Sequence, residues 1–409
     1  MSDRTTTLVF DDAGAHGPAV SLAPLNDLRA SFLIRTGALT ALERLQRDPR
    51  LRVAGVLVDA GAAALTREQC AVAVNEPPTD VASLLLVNGR CPLLPDAALG
   101  LTRGEALIED ATGHLVAACV GPGDVRSVVG GAREFMPARV HPGRALLSRP
   151  WHVRSFRDAC LAHDLHVVGR AIAGVGSRLP EPAVAIGDRP VVICHTATML
   201  PGLVLDAEHG AIVIDEHATV RPGAVLIGPC YVGPHSTVLE RATVRPGTAI
   251  GPWCKVNGEV GGTLFQGYAN KAHDGYLGDS WVGEWVNLGA GTTNSNLLNT
   301  YAETIARATE GGRHERTGEQ FLGAVIGDHV KTAICTRIMT ASVLGTGGMY
   351  ATTAPVSGTT RAFAWATDEG TRAYRADKFL EVMHAAMARR KVSPSAAYLA
   401  RVRSLLGAG

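Results

Sequence analysis

The sequence predicts an α/β domain followed by a parallel β-helix, and two registers in the middle of the chain carry most of this prediction. Eight aliphatic residues recur every six positions: Ile214, Val220, Leu226, Val232, Val238, Val244, Ile250 and Val256. Small residues occupy the position two before most of them: Ala218, Ala224, Cys230, Ser236, Ala242, Thr248 and Cys254. A six-residue period fits neither an α-helix nor an alternating strand, and it is typical of a β-helix, in which short strands stack coil upon coil. Alternating strand-like and helical stretches at the start of the chain predict the α/β domain.

Turn dipeptides separate the repeats, as the β-helix interpretation requires. They are Pro222-Gly223, Gly228-Pro229, Gly233-Pro234, Pro246-Gly247 and Gly251-Pro252. We expect each aliphatic side chain to point into the coil, where only a small neighbour fits beside it.

Composition limits the class of protein. A chain of 409 residues is long for one compact core, so two or three domains are expected. With 46% hydrophobic and 19% charged residues and a net charge of +1, the chain resembles an ordinary soluble protein and lacks the charge excess of a nucleic-acid or membrane binder. The start lacks the apolar core of a signal peptide, and the eight cysteines form no C-x-x-C pair, so a reduced cytoplasm is expected.

Residues 1–180 are predicted to form the α/β domain. Leu8–Phe10 resembles a strand, Gly37–Gln46 a helix, and Val53–Val58 and Leu84–Val87 two further strands. Strands that alternate with helices favour an open and partly parallel sheet.

Residues 190–360 are predicted to form the β-helix. Beyond Val256 the aliphatic register breaks, and it returns in two groups: Tyr276, Val282 and Leu288, then Ile326, Thr332, Ile338 and Leu344. The polar stretch Leu298–Gln320 is predicted to be a loop inserted at one edge of a coil, either functional or simply solvated.

Residues 370–409 are predicted to be helical. Five apolar residues share one helical face: Phe379, Val382, Met383, Ala386 and Met387. We expect this face to pack on the β-helix or on a neighbouring subunit.

The densest group of polar and aromatic residues lies where the register first breaks. Residues 265–279 read F-Q-G-Y-A-N-K-A-H-D-G-Y-L-G-D, and residues 285–293 read W-V-N-L-G-A-G-T-T. A regular solenoid does not need these residues in a loop, and loops commonly carry functional sites. The two segments resemble the acetyltransferase half of the bifunctional GlmU family, whose β-helix is left-handed and carries K-A-G-H-x-x-Y-L-G-D and N-x-G-A-G-T.

This resemblance assigns expected roles to individual residues. His273 would be the general base that acts on the amine of glucosamine 1-phosphate, since an imidazole with a pKa near neutrality suits proton removal. Tyr276 and Arg245 would contact the sugar phosphate, and a guanidinium suits a phosphate. Asn287 would hold the sugar or orient the base.

The resemblance also implies a cofactor and an assembly. The family forms trimers and binds acetyl-CoA between neighbouring β-helices, so a homotrimer is expected, with Ala290 and Gly291 in the acetyl-CoA groove. Two lysines of the family are glycines here, near Gly261 or Gly262 and near Gly323. Lys255, Lys271 or Lys331 could supply substrate-binding charge instead.

A second resemblance covers most of the chain. The opening F-D-D…P-L…L-R…T-G, the segment N-G-R…L-L-P and the block around His273 are similar to the GlmU-like proteins described as sugar nucleotidyltransferases. The N-terminal domain would then be nucleotidyltransferase-like, with a Rossmann-type arrangement of strands and helices.

The N-terminal domain departs from that pattern at its phosphate and metal positions. Where the family has a glycine-rich loop, this chain has Asp11 and Asp12, which fit either a Mg²⁺ site or a turn, and we favour the turn. Arg90 stands where the G-D-x-P-L segment of the family carries its metal-binding aspartate. Arg29, Arg35 and Arg90 are candidate contacts for nucleotide phosphates.

Three functions remain open from the sequence. The first is acyl transfer from acetyl-CoA to an amino sugar or its phosphate, with His273 as base. The second is nucleotidyl transfer from an NTP in the N-terminal domain, which would need Mg²⁺ and which Arg90 disfavours. The third is a sugar-nucleotide-binding scaffold without catalysis.

Overall fold

The computed structural model describes residues 4–131, 135, 138–173 and 181–407, which form two compact units. The first comprises Met1–Leu22, Leu28–Ile34 and Leu39–Arg149, within these described ranges. The second comprises Pro150–Gly409 together with the short segments Ala23–Asp27 and Arg35–Ala38. The boundary therefore falls near residue 150, before the position near residue 180 that the sequence suggested, because the intervening helix packs on the β-helix.

The first unit is built on a seven-stranded mixed sheet with strand order β3-β2-β1-β4-β6-β5-β7. Its strands are β1 Thr5–Phe10, β2 Leu51–Leu57, β3 Ala73–Val74, β4 Leu84–Asn88, β5 Ala106–Glu109, β6 Leu115–Val120 and β7 Ala138–His141. Its helices are α1 Ala41–Arg47, α2 Ala60–Gln69, α3 Asp96–Leu99 and α4 Val125–Val129. β1 pairs in parallel with β2 and β4, and β6 runs antiparallel to β4 and β5, which confirms the partly parallel sheet.

Both faces of this sheet are covered. In β1, Val9 belongs to one apolar cluster, and its neighbours Leu8 and Phe10 belong to the cluster on the opposite face. Strands buried on both faces are continuously hydrophobic, and this explains the unbroken apolar runs of β1 and β4.

The second unit contains a three-sided parallel β-helix. The first face consists of Val184–Ile186, Val204–Asp206, Val225–Ile227, Thr243–Val244, Glu259–Gly261 and Tyr276–Gly278. The second face consists of Val191–Ile193, Ile212–Ile214, Cys230–Val232, Thr248–Ile250, Leu264–Phe265, Trp281–Val282, Ala324–Ile326 and Ser342–Leu344. The third face consists of Thr198–Met199, Thr219–Val220, Thr237–Val238, Lys255–Val256 and Asn270–Lys271, and it continues through Asn287 to Lys331–Thr332, Met349–Ala351 and Ala364–Thr367.

Three hexapeptides make one coil, so residues 18 apart are partners on the same face. Ile214 pairs with Val232, and Val232 pairs with Ile250. All eight residues of the predicted aliphatic register are fully buried, and the small register is at most 1% exposed. The structure therefore confirms both registers. Burial raises the pKa of the Cys230 and Cys254 thiols to about 12, as packed thiols require, and all eight cysteines are free.

The later returns of the register are confirmed with one correction. Ile326, Thr332, Ile338 and Leu344 are buried as predicted. On the first face, however, Leu277 pairs with Val260 in the interior, and Tyr276 pairs with the outward-facing Glu259. Leu277 precedes the next inward residue, Val282, by five residues instead of six, so the inward position on this face comes one residue later than predicted.

One corner of the β-helix carries a column of aromatic rings. Its residues adopt left-handed backbone conformations with φ between 52° and 61°: His217, His235, Trp253, Tyr268, Trp285 and His329. Successive rings are nearly parallel, and the Tyr268 and Trp285 centroids lie 4.3 Å apart. The repeated corner geometry therefore stacks a ring from each coil on its neighbours.

The remaining elements of the second unit pack against the coils. Helix α5, His152–Ile172, packs on the second face. The predicted insertion contains the short strands Ile305–Ala306 and Glu315–Arg316, paired antiparallel, while Thr293–Asn294 pairs with Arg337–Ile338. At the C-terminal end, the strand Gly370–Ala373 is followed by two helices, α6 Ala376–Ala388 and α7 Ala396–Gly407. Of the predicted apolar face of α6, Phe379, Met383 and Met387 are buried.

No helix in the described part of the chain is both long enough and apolar enough to span a membrane.

Candidate functional site

A groove at the corner between the third and first faces contains the predicted general base. His273 is exposed in this groove, which has a volume of about 680 Å³. We call it the corner groove, and successive coils supply its lining: Glu240, Arg241, Asn257, His273, Asp274, Ala290, Gly291, Ile334 and Cys335. The structure thus brings His273 together with Ala290 and Gly291, the residues predicted for an acyl-CoA groove.

Lys271 lies inside the coil, two residues before His273. It pairs with Val256 in the inward column of the third face and is 2% exposed. Its Nζ donates to the carbonyl oxygens of Asn257 at 3.0 Å and His273 at 2.7 Å. Burial lowers the pKa of Lys271 to about 8. Its ammonium therefore holds the main chain that carries His273, a role different from the direct substrate contact that the sequence suggested.

Tyr276 lies on the first-face side of this corner and belongs to a polar cluster. Its hydroxyl accepts a hydrogen bond from Asn296 at 3.0 Å, and Asn296 also donates to Asp279 at 2.8 Å. Arg154 and Arg157 of α5 donate to the other oxygen of Asp279 at 3.1 and 2.6 Å. Burial, together with the nearby carboxylates of Asp279 and Glu259, raises the pKa of Tyr276.

Sequence reasoning missed Arg154, Arg157 and Asn296. The two arginines lie more than 100 positions from Asp279, and no local pattern links residues so far apart. Their i, i+3 spacing on one helical face was the only available signal.

Crowded surroundings at Gly262 and Gly323, two of the glycines near the family's lysine positions, agree with the absence of a side chain there. A Cβ on Gly262, whose φ is +58°, would lie 2.3 Å from Arg157, and a Cβ on Gly323 would lie 1.9 Å from the Gly278 carbonyl oxygen. Neither position can take a side chain without rearrangement. Arg245, the predicted phosphate ligand, is exposed and pairs with Glu259 at 2.5 Å.

Asn287 lies on the third face, in a separate cavity. Its Oδ1 accepts a hydrogen bond from Asn270 at 2.7 Å. We call this the third-face cavity. It has a volume of about 320 Å³, and its lining comes from the third face, the aromatic corner and the C-terminal helical region: Lys255, Tyr268, Asn270, Trp285, Val286, Asn287, Lys331, Val382, Ala385, Ala386, Arg389 and Arg390.

In the first unit, Arg90 is fully buried and binds the carboxylate of Asp12. Its Nε and Nη2 donate to the two oxygens of Asp12 at 2.6 and 3.0 Å, and its Nη1 donates to the Leu147 carbonyl at 2.9 Å. His16 also contacts Asp12, at 2.8 Å. Burial alone would raise the pKa of Asp12, but the bonds from Arg90 and His16 hold it below the ordinary range.

The neighbouring Asp11 is also occupied by protein donors. Its oxygens accept from the backbone and hydroxyl of Ser31 at 2.9 and 2.8 Å and from the backbone of Ala13 at 3.0 Å. Burial raises the pKa of Asp11. Within the described ranges, no three His, Cys, Asp or Glu residues are grouped so that they could hold a metal. The two acids therefore do not fit a Mg²⁺ site, and their bonds are those of a fixed turn.

The other two arginines proposed for nucleotide phosphates are buried as well. Arg29 is 6% exposed in the first unit. Arg35 lies in a segment of the second unit, where its main-chain nitrogen donates to the Gln266 side chain at 2.8 Å and its guanidinium contacts the carbonyl of Ala38.

Comparisons with known proteins find similarity over part of the chain. No family model matches the chain. It is 32% identical over 138 residues to a bifunctional sugar-1-phosphate nucleotidylyltransferase/acetyltransferase of Sulfurisphaera tokodaii, a match that covers 33% of this chain and 34% of that protein. It is 26% identical over 171 residues to the bifunctional protein GlmU of Nostoc sp., covering 36% and 37%. For GlmU of Gloeobacter violaceus, the identity is 38% over 89 residues, covering 21% and 19%.

The fold and the site together define a parallel β-helix protein with an additional α/β unit. Over about a third of its length the chain is similar to GlmU proteins, which confirms the resemblance predicted from its motifs. The chain spans about a third, or less, of the length of these curated relatives.

We expect Arg90→Met to destabilise the first unit by about 3–5 kcal/mol, because it leaves the Asp12 carboxylate buried without its partner. All seven tyrosines and five tryptophans lie beyond residue 149, so intrinsic fluorescence does not report on the first unit. Hydrogen exchange of the peptides that contain β1 and β4 is therefore the appropriate measurement.

The double variant Asp12→Asn/Arg90→Met should recover part of this loss, because no unpaired charge remains. Slower exchange on addition of Mg²⁺, dependent on Asp12, would instead show that the acids do bind a metal.

A second prediction concerns Lys271, whose pKa in the folded protein is about 8, below the unfolded value of about 10.4. The cost of burying its charge is fully present below pH 8 and disappears as the pH rises towards 10.4. The free energy of unfolding of Lys271→Met, measured relative to that of the wild type, should therefore be higher at pH 7 than at pH 9.5.

The measurement is urea unfolding followed by tryptophan fluorescence, which reports on the second unit alone. Lys391→Met, at an exposed position, is the control for removing one positive charge. An effect of Lys271→Met that is the same at both pH values would contradict the lowered pKa.

Proposed function

We propose that the β-helix unit transfers an acetyl group from acetyl-CoA to the amine of an amino sugar or amino-sugar phosphate, with His273 as general base. The observation that carries the proposal is that the exposed imidazole shares the corner groove with Ala290 and Gly291. One relative is named as an acetyltransferase and others are named GlmU, and these names support the class of reaction.

The proposed reaction needs a neutral amine. His273 would remove a proton as the amine nitrogen attacks the thioester carbonyl, a new N–C bond would form, and the C–S bond would break to release the CoA thiolate. The proton held by His273 can then pass to the departing thiolate or to water. Lys271 would contribute by fixing the main chain at His273.

The residues that flank the corner would bind the acceptor. Tyr276 and Asn296 lie on one side of His273 along the coil, and Asn287 lies on the other. Arg245, which is exposed, could exchange its bond to Glu259 for a bond to a phosphate.

The assay is formation of acetylated product from acetyl-CoA and a panel of amino sugars and amino-sugar 1-phosphates, measured by mass spectrometry. Mass spectrometry is preferable to a thiol reagent because the exposed Cys335 in the same groove would also react. We expect His273→Ala to lower kcat by about 10²–10⁴-fold, the usual contribution of a general base.

His209→Ala removes an exposed histidine from a distant coil and should retain full activity. No acetylated product from any acceptor, or an equally active His273→Ala variant, would refute acyl transfer at this groove.

We also propose that the active assembly is a homotrimer. The corner groove is open, and its Ile334 side chain is 73% exposed, an apolar surface that a neighbouring copy would cover. Light scattering should give three times the chain mass of 42.8 kDa, and Ile334→Asp should shift it towards the monomer. A wild-type monomer at assay concentration would contradict the trimer.

The second candidate, nucleotidyl transfer with Mg²⁺ in the first unit, is disfavoured by the Asp12–Arg90 ion pair. The Asp12–Arg90 ion pair is compatible with a role of this unit in binding a sugar nucleotide without metal chemistry.

A further inference from the structure

The third-face cavity carries a concentration of positive charge. Lys255 and Lys331 come from the β-helix, Arg389 and Arg390 follow helix α6, and none of the described residues that line the cavity is acidic. Lys255, Asn270, Asn287 and Lys331 occupy one column on successive coils. Adjacent coils are about 4.8 Å apart, so the two lysines lie at the ends of this column with the two amides between them.

Lys331 is the most constrained of these cations. Its Nζ donates to the Trp285 carbonyl at 3.1 Å, and burial lowers its pKa to about 8. An ammonium has three donors, and a buried cation is costly unless an anion or several hydrogen bonds compensate it. The cavity thus holds a charge that an anionic ligand would stabilise.

The other walls of the cavity suit an organic ligand. The Asn270–Asn287 bond uses one donor and one acceptor, which leaves further amide groups for hydroxyl or phosphate oxygens. Tyr268 and Trp285 stack on each other, so they contribute apolar surface together with Ala385 and Ala386. A volume of about 320 Å³ lies at the lower end of the range for small-molecule sites.

We propose that the third-face cavity binds the phosphate group of a small phosphorylated molecule. Four cations, two amides and an apolar wall match a compact dianion attached to an organic group. Among the described residues, the cavity and the corner groove have no lining residue in common, and Asn287 is the one residue that this proposal shares with the proposed acceptor contacts, so variants of Lys331 and His273 separate the two proposals.

Calorimetric titration of the full chain with inorganic phosphate, a hexose 1-phosphate, a nucleoside monophosphate and CoA tests the proposal. We expect binding that weakens as salt is added, because the contacts are ionic. Lys331→Met and Arg389→Gln should each weaken it at least about tenfold, the effect of losing one charged hydrogen bond.

Two variants serve as controls. Arg337→Gln removes an exposed cation that does not line the cavity and should leave binding unchanged. His273→Ala should also bind phosphate normally, and this separates the cavity from the proposed reaction in the corner groove.

Proton uptake provides an independent readout. A bound dianion favours the charged form of Lys331, so binding at pH 8 should take up protons, and binding at pH 6.5 should take up fewer. The other ionisable groups near the cavity are Lys255, Arg389, Arg390 and Tyr268, with Glu284 acting on Tyr268. Phosphate itself loses its second proton at about pH 6–7, so its own ionisation also changes the number of protons taken up on binding. The proton uptake of the wild type must therefore be compared with that of Lys331→Met.

The relative affinities identify the source of the phosphate. Tighter binding of the hexose phosphate, the nucleotide or CoA than of inorganic phosphate would name the organic group, and equal affinities would mean that the phosphate alone is recognised. No binding of any of the four compounds, or unchanged binding by both Lys331→Met and Arg389→Gln, would overturn the proposal.

Discussion

The second unit depends on the in-register stacking of one inward side chain per face on every coil. Parallel pairing places Ile214, Val232 and Ile250 directly above one another, at the spacing of neighbouring strands. A polar side chain in such a column must find partners inside the coil or distort it. The six-residue repeat is the direct consequence, since each coil presents one inward position to each of its three faces. The same stacking determines which residues face outward and which form corners, and so where the corner groove and the third-face cavity can lie.

The fold was predictable wherever the inward position is filled by an aliphatic residue. From Ile214 to Val256 it always is, and the register is visible in the sequence. Beyond that point Lys271 and Thr332 occupy inward positions of the third face, so hydrophobicity no longer follows the geometry although the coils continue. Lys271 shows why its role was misjudged: a lysine in a polar loop suggests a ligand contact, and only the pairing with Val256 reveals that it points inward.

The candidate site was predictable in its local part. His273, Ala290 and Gly291 meet because residues at equivalent corners of neighbouring coils are adjacent, and the motif places them one coil apart. Asn287 and Tyr276 lie beside the same corner on different faces, a separation that a linear motif does not express. The cluster around Asp279 was not predictable, because two of its members come from α5 and pack there only through the tertiary fold.

The departures from the GlmU pattern share one physical consequence: guanidinium groups are buried and paired with carboxylates inside the protein. Arg90, at the position of a metal-binding aspartate, is fully buried on the Asp12 carboxylate. Arg157 donates to Asp279 and to the carbonyl of Gly262, so a guanidinium from α5 fills the place beside one missing lysine. Charges neutralised in this way stabilise the fold and are costly to redirect towards a ligand. The cations of the third-face cavity differ in that no carboxylate lines it within the part of the chain that the structure describes. The third face of the β-helix therefore carries positive charge that no described carboxylate of its cavity neutralises.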